Sequence, residues 1–335
     1  MAISNISFTI FTFIFILLPS NHASSSPLSP FKKIYAFGDS YTDTGNTRTS
    51  TGPTAFNYVS NHPYGVTFFH HPTNRYSDGR IVIDFVAEAL SLPLLPPYRN
   101  PKADQSHGVD FAVGGATAIR HGFFLKNNVT FNLVPQSLQT QLVCLGSSLS
   151  SKIIQDLAIN SVAGFLQALL NKGAKYIVVQ GLPPTGCIPY SFSLSSPDDR
   201  DQMGCVASMN RITSAHNAAL QTRLNALRKR NPQSVIVYAD YYNAHLTLLK
   251  NANKYGFKEQ YKVCCGYGGG PYNFDVFNTC GSGASTSCAK PVEYVNWDGA
   301  HLTEAAYRVI TNSFLNGTFC SPSFRYLLAK KVQMG

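Results

Sequence analysis

Short strand-forming runs alternate with longer helical patterns along this chain, and that alternation restricts its fold more than any other feature. Ile34 to Phe37, Val109 to Val113, Tyr176 to Val179 and Val235 to Tyr238 are each long enough for one buried strand. Between and after them, Ile81 to Leu90 reads as a helix. So does the set Ile153, Leu157, Phe165, Leu166, Leu169 and Leu170, and likewise Met209, Ile212, Leu220, Leu224 and Leu227. Leu138 and Leu142 suggest a shorter helical patch. Thr303 is placed to cap a final helix that starts at Glu304 and carries Ala306, Ile310 and Phe314 on one face. Strands and helices in alternation predict a mainly parallel sheet covered on both faces. A length of 335 residues with 44% hydrophobic content suffices for that core. There is no internal repeat and no linker long enough to divide the chain.

The first strand runs into Gly38-Asp-Ser-Tyr-Thr-Asp-Thr-Gly-Asn. Asp39 and Ser40 are good helix-opening residues, so the spacing predicts a strand-to-helix junction with a hydroxyl on rigid backbone. Helix N–H groups there favour developing negative charge, which suits a nucleophilic serine if a base is within reach. Taken alone, the pattern fits a serine capping an ordinary turn better. Near the other end stands Asn296-Trp-Asp-Gly-Ala-His-Leu-Thr-Glu. One loop can present both Asp298 and His301, the carboxylate fixing the tautomer and the ring facing outward as a base. A lone Asp-x-x-His fits a surface loop equally well; the two blocks in one chain are far more specific.

Together they resemble the GDSL esterase/lipase family of the SGNH hydrolases, in particular its plant-type branch. Phe37-Gly-Asp-Ser-Tyr-Thr-Asp-Thr-Gly-Asn matches the first block of that family, Val109-Asp-Phe-Ala-Val-Gly-Gly-Ala the second, and Asp298 with His301 the fifth. Pro63-Tyr-Gly, Ser77-Asp-Gly-Arg, Gly186-Cys-Ile-Pro and Cys264-Cys-Gly are also similar to this branch. The resemblance implies a three-layer α/β/α sandwich of flavodoxin-like topology. It implies a serine carboxylic-ester hydrolase with Ser40 as nucleophile, His301 as base and Asp298 orienting it. The oxyanion donors would be the N–H groups of Ser40 and Gly115. An ester of a lipid, an acylated carbohydrate or a small molecule is the implied partner, with no cofactor. Asp43 and Asn46 are expected to stabilise the turn after Ser40.

One block is missing. The family's third block is a strand followed by Gly-x-Asn-Asp, whose asparagine completes the oxyanion hole. Between Gly115 and Tyr176 there is no strand-like run and no Asn-Asp pair; Gln141-Leu-Val-Cys-Leu-Gly-Ser-Ser passes straight into the helical pattern at Ile153. Asn127, Asn128 and Asn160 lack the motif's surroundings. The expected sheet therefore lacks one central strand. The alternative to an active esterase is a non-catalytic or impaired member that keeps the scaffold and binds carbohydrate or lipid.

Residues 1–23, with the apolar run Phe8 to Leu18, read as a signal peptide, leaving 24–335 as a single domain. No Lys or Arg precedes Lys32, so the usual basic start is lacking. No later stretch is expected to be long and apolar enough for a membrane helix. Eight cysteines fit an oxidising compartment, and Asn128-Val-Thr and Asn316-Gly-Thr are glycosylation acceptors, which points to a secreted, extracellular or cell-wall glycoprotein. Cys187 and Cys205 bracket a loop that a disulfide could pin; pairings among Cys264, Cys265, Cys280 and Cys288 are left open by spacing, and Cys144 has no evident partner. A metal site is not expected, because no pair of Cys-x-x-Cys motifs exists, and His70-His71 reads as a loop pair. The charge of +10 is scattered or sits at helix ends such as Arg228-Lys-Arg, a solvated basic surface rather than a nucleic-acid patch. A monomer is expected.

Overall fold

A computed structural model describes residues 30–47, 57–119 and 151–333. The signal-peptide segment, Leu138, Leu142, Cys144, Asn127 and Asn128 lie outside the described residues.

The architecture is α/β. Strand β1 (Ile34–Ala36) pairs in parallel with β2 (Gly108–Asp110). Farther along, β3 (Tyr176–Gln180) pairs in parallel with β4 (Val235–Ala239) over five residues. The alternation of side chains across β3 and β4 sorts their residues into two cores. Ile177, Val179, Ile236 and Tyr238 face Leu166 and Leu169 of helix α2 (Ser151–Asn171, after α1, Val82–Ala89). Leu220, Leu224 and Leu227 join that layer from α4 (Ala207–Arg230), which follows the short α3 (Pro189–Leu194). Tyr176, Val178, Val235, Val237 and Ala239 face the opposite core. It is built by α1, α5 (Tyr241–Lys250) and α6 (Glu304–Leu315), with Phe324 and Leu327 from α7 (Phe324–Gln333). Both faces of the sheet are apolar and covered, which yields the three layers.

Among the described residues, β1–β2 and β3–β4 belong to separate sheets. Direct pairing of the strands at Val109 and Tyr176, one way to close over a missing strand, is not what the chain does: Val109 pairs with Tyr35, and Tyr176 with Val235. Side chains bridge the two sheets instead. Tyr35 and Phe37 pack on the core of Ile177 and Val179, and the Phe31 ring meets Tyr176 edge-on at 5.5 Å.

Two expectations need correction. Residues 40–46 form turns rather than a helix. The Asp39 carboxylate accepts the Tyr41 N–H and the Asp43 carboxylate accepts those of Gly45 and Asn46, so successive side-chain-capped turns take the amides a helix would use. Second, Lys152–Asn171 of α2 is long and apolar enough to cross a membrane, because its charged residues, Lys152 and Asp156, cluster at the start. In this fold its Leu166 and Leu169 are buried against α4.

Candidate active site

Residue 40 stands on a tight turn directly beyond β1, where the Asp39 carbonyl accepts the N–H groups of Thr42 and Asp43. His301 comes from the opposite end of the chain. The segment after β5 (Tyr294–Asn296) folds back so that the Trp297 N–H donates to the His301 carbonyl at 2.8 Å, and Thr303 then caps α6 by accepting the Ala306 N–H. That cap appears where the sequence indicates it. Ser40 Oγ lies 2.7 Å from His301 Nε2, and His301 Nδ1 lies 2.9 Å from both oxygens of Asp298. Since Nδ1 faces a carboxylate, it carries the proton, and Nε2 is left as an acceptor toward Ser40.

The Asp298 carboxylate is buried and heavily hydrogen-bonded. Its Oδ1 accepts the N–H groups of Ala300 and His301, each at 2.8 Å, and its Oδ2 accepts the Tyr64 hydroxyl at 2.8 Å. Burial pushes its pKa up, but the charge and hydrogen bond of His301 and the two backbone donors outweigh that and hold it below the usual carboxylate range. Two tyrosines flank the imidazole. Tyr76 lies 4.7 Å and Tyr41 5.4 Å from it, ring to ring, and the Tyr41 hydroxyl donates to the Ala300 carbonyl at 2.6 Å. Asp39, beside Ser40, is raised by burial, opposed by the Tyr41 N–H and by His301.

The loop carrying Gly115 is tied to the Ser40 loop. Val113 N–H donates to the Gly38 carbonyl, and Asn46 Nδ2 donates to the carbonyls of Asp110 and Ala112. Asp43 takes the N–H of Gly114 at 2.8 Å as well as those of Gly45, Asn46 and Thr47, and the Thr47 hydroxyl. Gly115 itself has φ +80, the left-handed region that glycine occupies at little cost.

Sequence reasoning missed the clamp on His301. Ser77 Oγ donates to the Leu302 carbonyl, Asp78 accepts the Glu304 N–H, and Arg80 donates from its backbone and guanidinium to the Glu304 carboxylate. Ser77-Asp-Gly-Arg was visible only as a family-like motif, as was Pro63-Tyr-Gly, which supplies Tyr64. Cys187 is bonded to Cys205, Cys264 to Cys288 and Cys265 to Cys280, while Cys320 is free among the described residues. Asn316, at the end of α6, is exposed.

Such an arrangement can lower the cost of removing a proton from Ser40 and of returning it to a leaving group. A family model for GDSL-like lipase/acylhydrolase matches residues 34–314. A GDSL esterase/lipase of Arabidopsis thaliana is 48% identical, over 90% of each chain. A second from that plant is 36% identical over 94% of this chain and 92% of its own. Acetylajmalan esterase 2 of Rauvolfia serpentina is 38% identical over 84% of this chain and 89% of its own. With one model spanning most of the chain and relatives this similar along nearly their whole lengths, this protein belongs to the GDSL-like lipase/acylhydrolase family.

Proposed function

We propose that the protein is a secreted carboxylic-ester hydrolase working through a serine acyl-enzyme, with Ser40 as nucleophile, His301 as general base and acid, and Asp298 orienting the imidazole. The observation that carries this is the 2.7 Å contact of Ser40 Oγ with His301 Nε2, backed by the buried Asp298. His301 Nε2 takes the hydroxyl proton as Oγ attacks the ester carbonyl. The oxyanion is held by the N–H groups of Ser40 and Gly115. His301 then gives the proton to the departing alcohol. Water attacks the acyl-serine with His301 again as base, releasing the acid and restoring Ser40. The relatives' names, GDSL esterase/lipase and acetylajmalan esterase, support an ester substrate. The disulfides and the exposed Asn316 acceptor are compatible with secretion.

Hydrolysis of a short-chain nitrophenyl ester by the purified protein tests this reading, together with labelling by a serine-reactive fluorophosphonate. Ser40→Ala is expected to abolish both while leaving folding intact. Equal labelling of the Ser40→Ala variant would show that another serine is the nucleophile.

A second reading, an impaired or non-catalytic member binding carbohydrate or lipid, is favoured by one observation. The 48%-identical alignment runs over 345 positions, more than the 335 residues here, while taking in 90% of this chain. The relative therefore carries residues with no counterpart in this protein, in keeping with the missing Gly-x-Asn-Asp block. Loss of one oxyanion donor typically lowers turnover by about 10²–10³.

A further inference from the structure

We propose that Tyr64 is a positioning residue of the ester-hydrolysing site: its hydroxyl, donated to Asp298 Oδ2, extends the hydrogen-bonded line to Tyr64–Asp298–His301–Ser40. The inference rests on the Ser40 reading above and adds a residue to it.

A carboxylate that orients a histidine can turn about its Cβ–Cγ bond unless both oxygens are held. Backbone donors fix Oδ1 of Asp298 from two sides, through Ala300 and His301. Among the described residues Oδ2 has no backbone donor; apart from His301 Nδ1, its partner is the Tyr64 hydroxyl at 2.8 Å. Tyr64 therefore sets the plane of the carboxylate, and through it the plane of the imidazole and the aim of Nε2 at Ser40. Partners one step behind a reacting group commonly act in this way on its orientation and basicity.

The tyrosine is itself immobilised. It is fully buried, with its ring edge-on to Trp297 at 6.0 Å and to Tyr76 at 6.5 Å. The same cluster contains Cys264, Cys265 and Cys280, whose disulfides fix the wall behind it. Burial and the neighbouring Asp298 charge push the Tyr64 hydroxyl well above its ordinary range, so it remains a donor at any pH at which the protein works. A residue present only for packing would need no hydroxyl in so apolar a place, where an unpaired one is costly.

The hydrogen bond also draws negative charge away from the His301 side of Asp298. Removing it leaves the imidazolium better stabilised, so the acid limb of the pH profile moves to higher pH. It also frees the carboxylate to turn, so the plateau rate falls.

The test is Tyr64→Phe, which keeps the ring and deletes one oxygen. Fluorophosphonate labelling rates between pH 5 and pH 9 report activation of the nucleophile, and nitrophenyl ester kinetics separate kcat from KM. The expected result is a plateau labelling rate and a kcat about tenfold lower, an acid limb displaced upward, and an unchanged KM. Trp297 is the sole tryptophan of the chain, so its emission reports packing beside residue 64. Unchanged emission with these kinetic effects supports the proposal. Wild-type rates and an unmoved acid limb overturn it. So does a lower rate with an unmoved limb and altered emission, which would assign Tyr64 to packing alone. Ser40→Ala, run in parallel, distinguishes the two readings: if it is labelled like wild type, the Ser40 reading fails and this one with it, whereas an unlabelled Ser40→Ala beside a wild-type-like Tyr64→Phe overturns the Tyr64 role alone.

Discussion

His245 lies on α5 inside the core that α5, α6 and α7 build against the sheet, and among the described residues neither of its ring nitrogens has a hydrogen-bond partner. Burial pulls its pKa from an ordinary 6.5 down to about 3. Below pH 6.5 the unfolded chain takes up a proton at this residue that the folded chain refuses until about pH 3. Stability from this group is therefore complete above pH 6.5 and is lost as pH falls toward 3. Between pH 7 and pH 5 the loss amounts to about 2 kcal/mol from this residue. His216, which burial pulls down to about 4, adds a loss of the same sign. Urea denaturation at the two pH values should show that decline, and His245→Leu should remove about half of it, leaving the share of His216. Nothing in the sequence singles out His245 as buried, because its burial depends on helices that pack on α5 from far along the chain. Ser40, Asp298 and His301 are legible by contrast, since each sits in a short motif whose spacing carries its chemistry. Tyr64 lies between these extremes: its tripeptide stands out, but its hydrogen bond joins positions 234 residues apart.

At the scale of elements, the N-terminus of α6 is the part on which the site depends. Glu304 begins that helix, and its carboxylate takes donors from the Arg80 backbone, the Arg80 guanidinium and Arg308. Gly79 lies directly against it, so a Cβ at position 79 would land within the Glu304 carboxylate. A flexible side chain could move aside, but this one is buried and held by those donors. Gly79→Ala is accordingly expected to destabilise the fold by about 1–3 kcal/mol. It should also lower ester hydrolysis beyond the loss of folded protein, because α6 follows His301 directly. Thermal denaturation and rates normalised to folded protein test both parts. The long helices and β1 to β4 can be read from the sequence, as can the Thr303 cap. Helix α5 cannot be read as easily, although Tyr241, Ala244, His245, Leu248 and Leu249 recur at helical spacing and Asp240 caps it through the Asn243 N–H. Its Tyr, Asn, His and Thr residues have weak helix propensity, so packing rather than local preference makes it a helix. The junction at Ser40 errs the other way, with helix-opening residues used for turns.

For the molecule as a whole, the decisive feature is the interval between the β1–β2 pair and the β3–β4 pair. The site does not depend on continuous strand pairing across it. The Ser40 and Gly115 loops are tied together by Asp43, Asn46 and the Gly38–Val113 bond, and the His301 loop by Tyr64, Ser77, Asp78 and Arg80. A family-type strand with its Gly-x-Asn-Asp loop, inserted after Leu142, should therefore add a donor to a site already assembled. We expect turnover to rise by roughly 10²-fold or more. Ester-hydrolysis rates of the restored and present chains at matched folded concentration give the answer. Equal rates would show that the added asparagine supplies no donor that this chain needs.

Ser40 and His301 stand 261 residues apart, and the histidine's loop is locked only when α6 folds against the segment around Arg80. Chains begin to fold as they are made, from the N-terminus onward. The serine's loop can take shape early in synthesis, but under the mechanism proposed above it has no base to activate it until His301 and α6 have emerged. On that reading, a nascent chain that stops short of His301 carries the proposed nucleophile without the proposed means to use it.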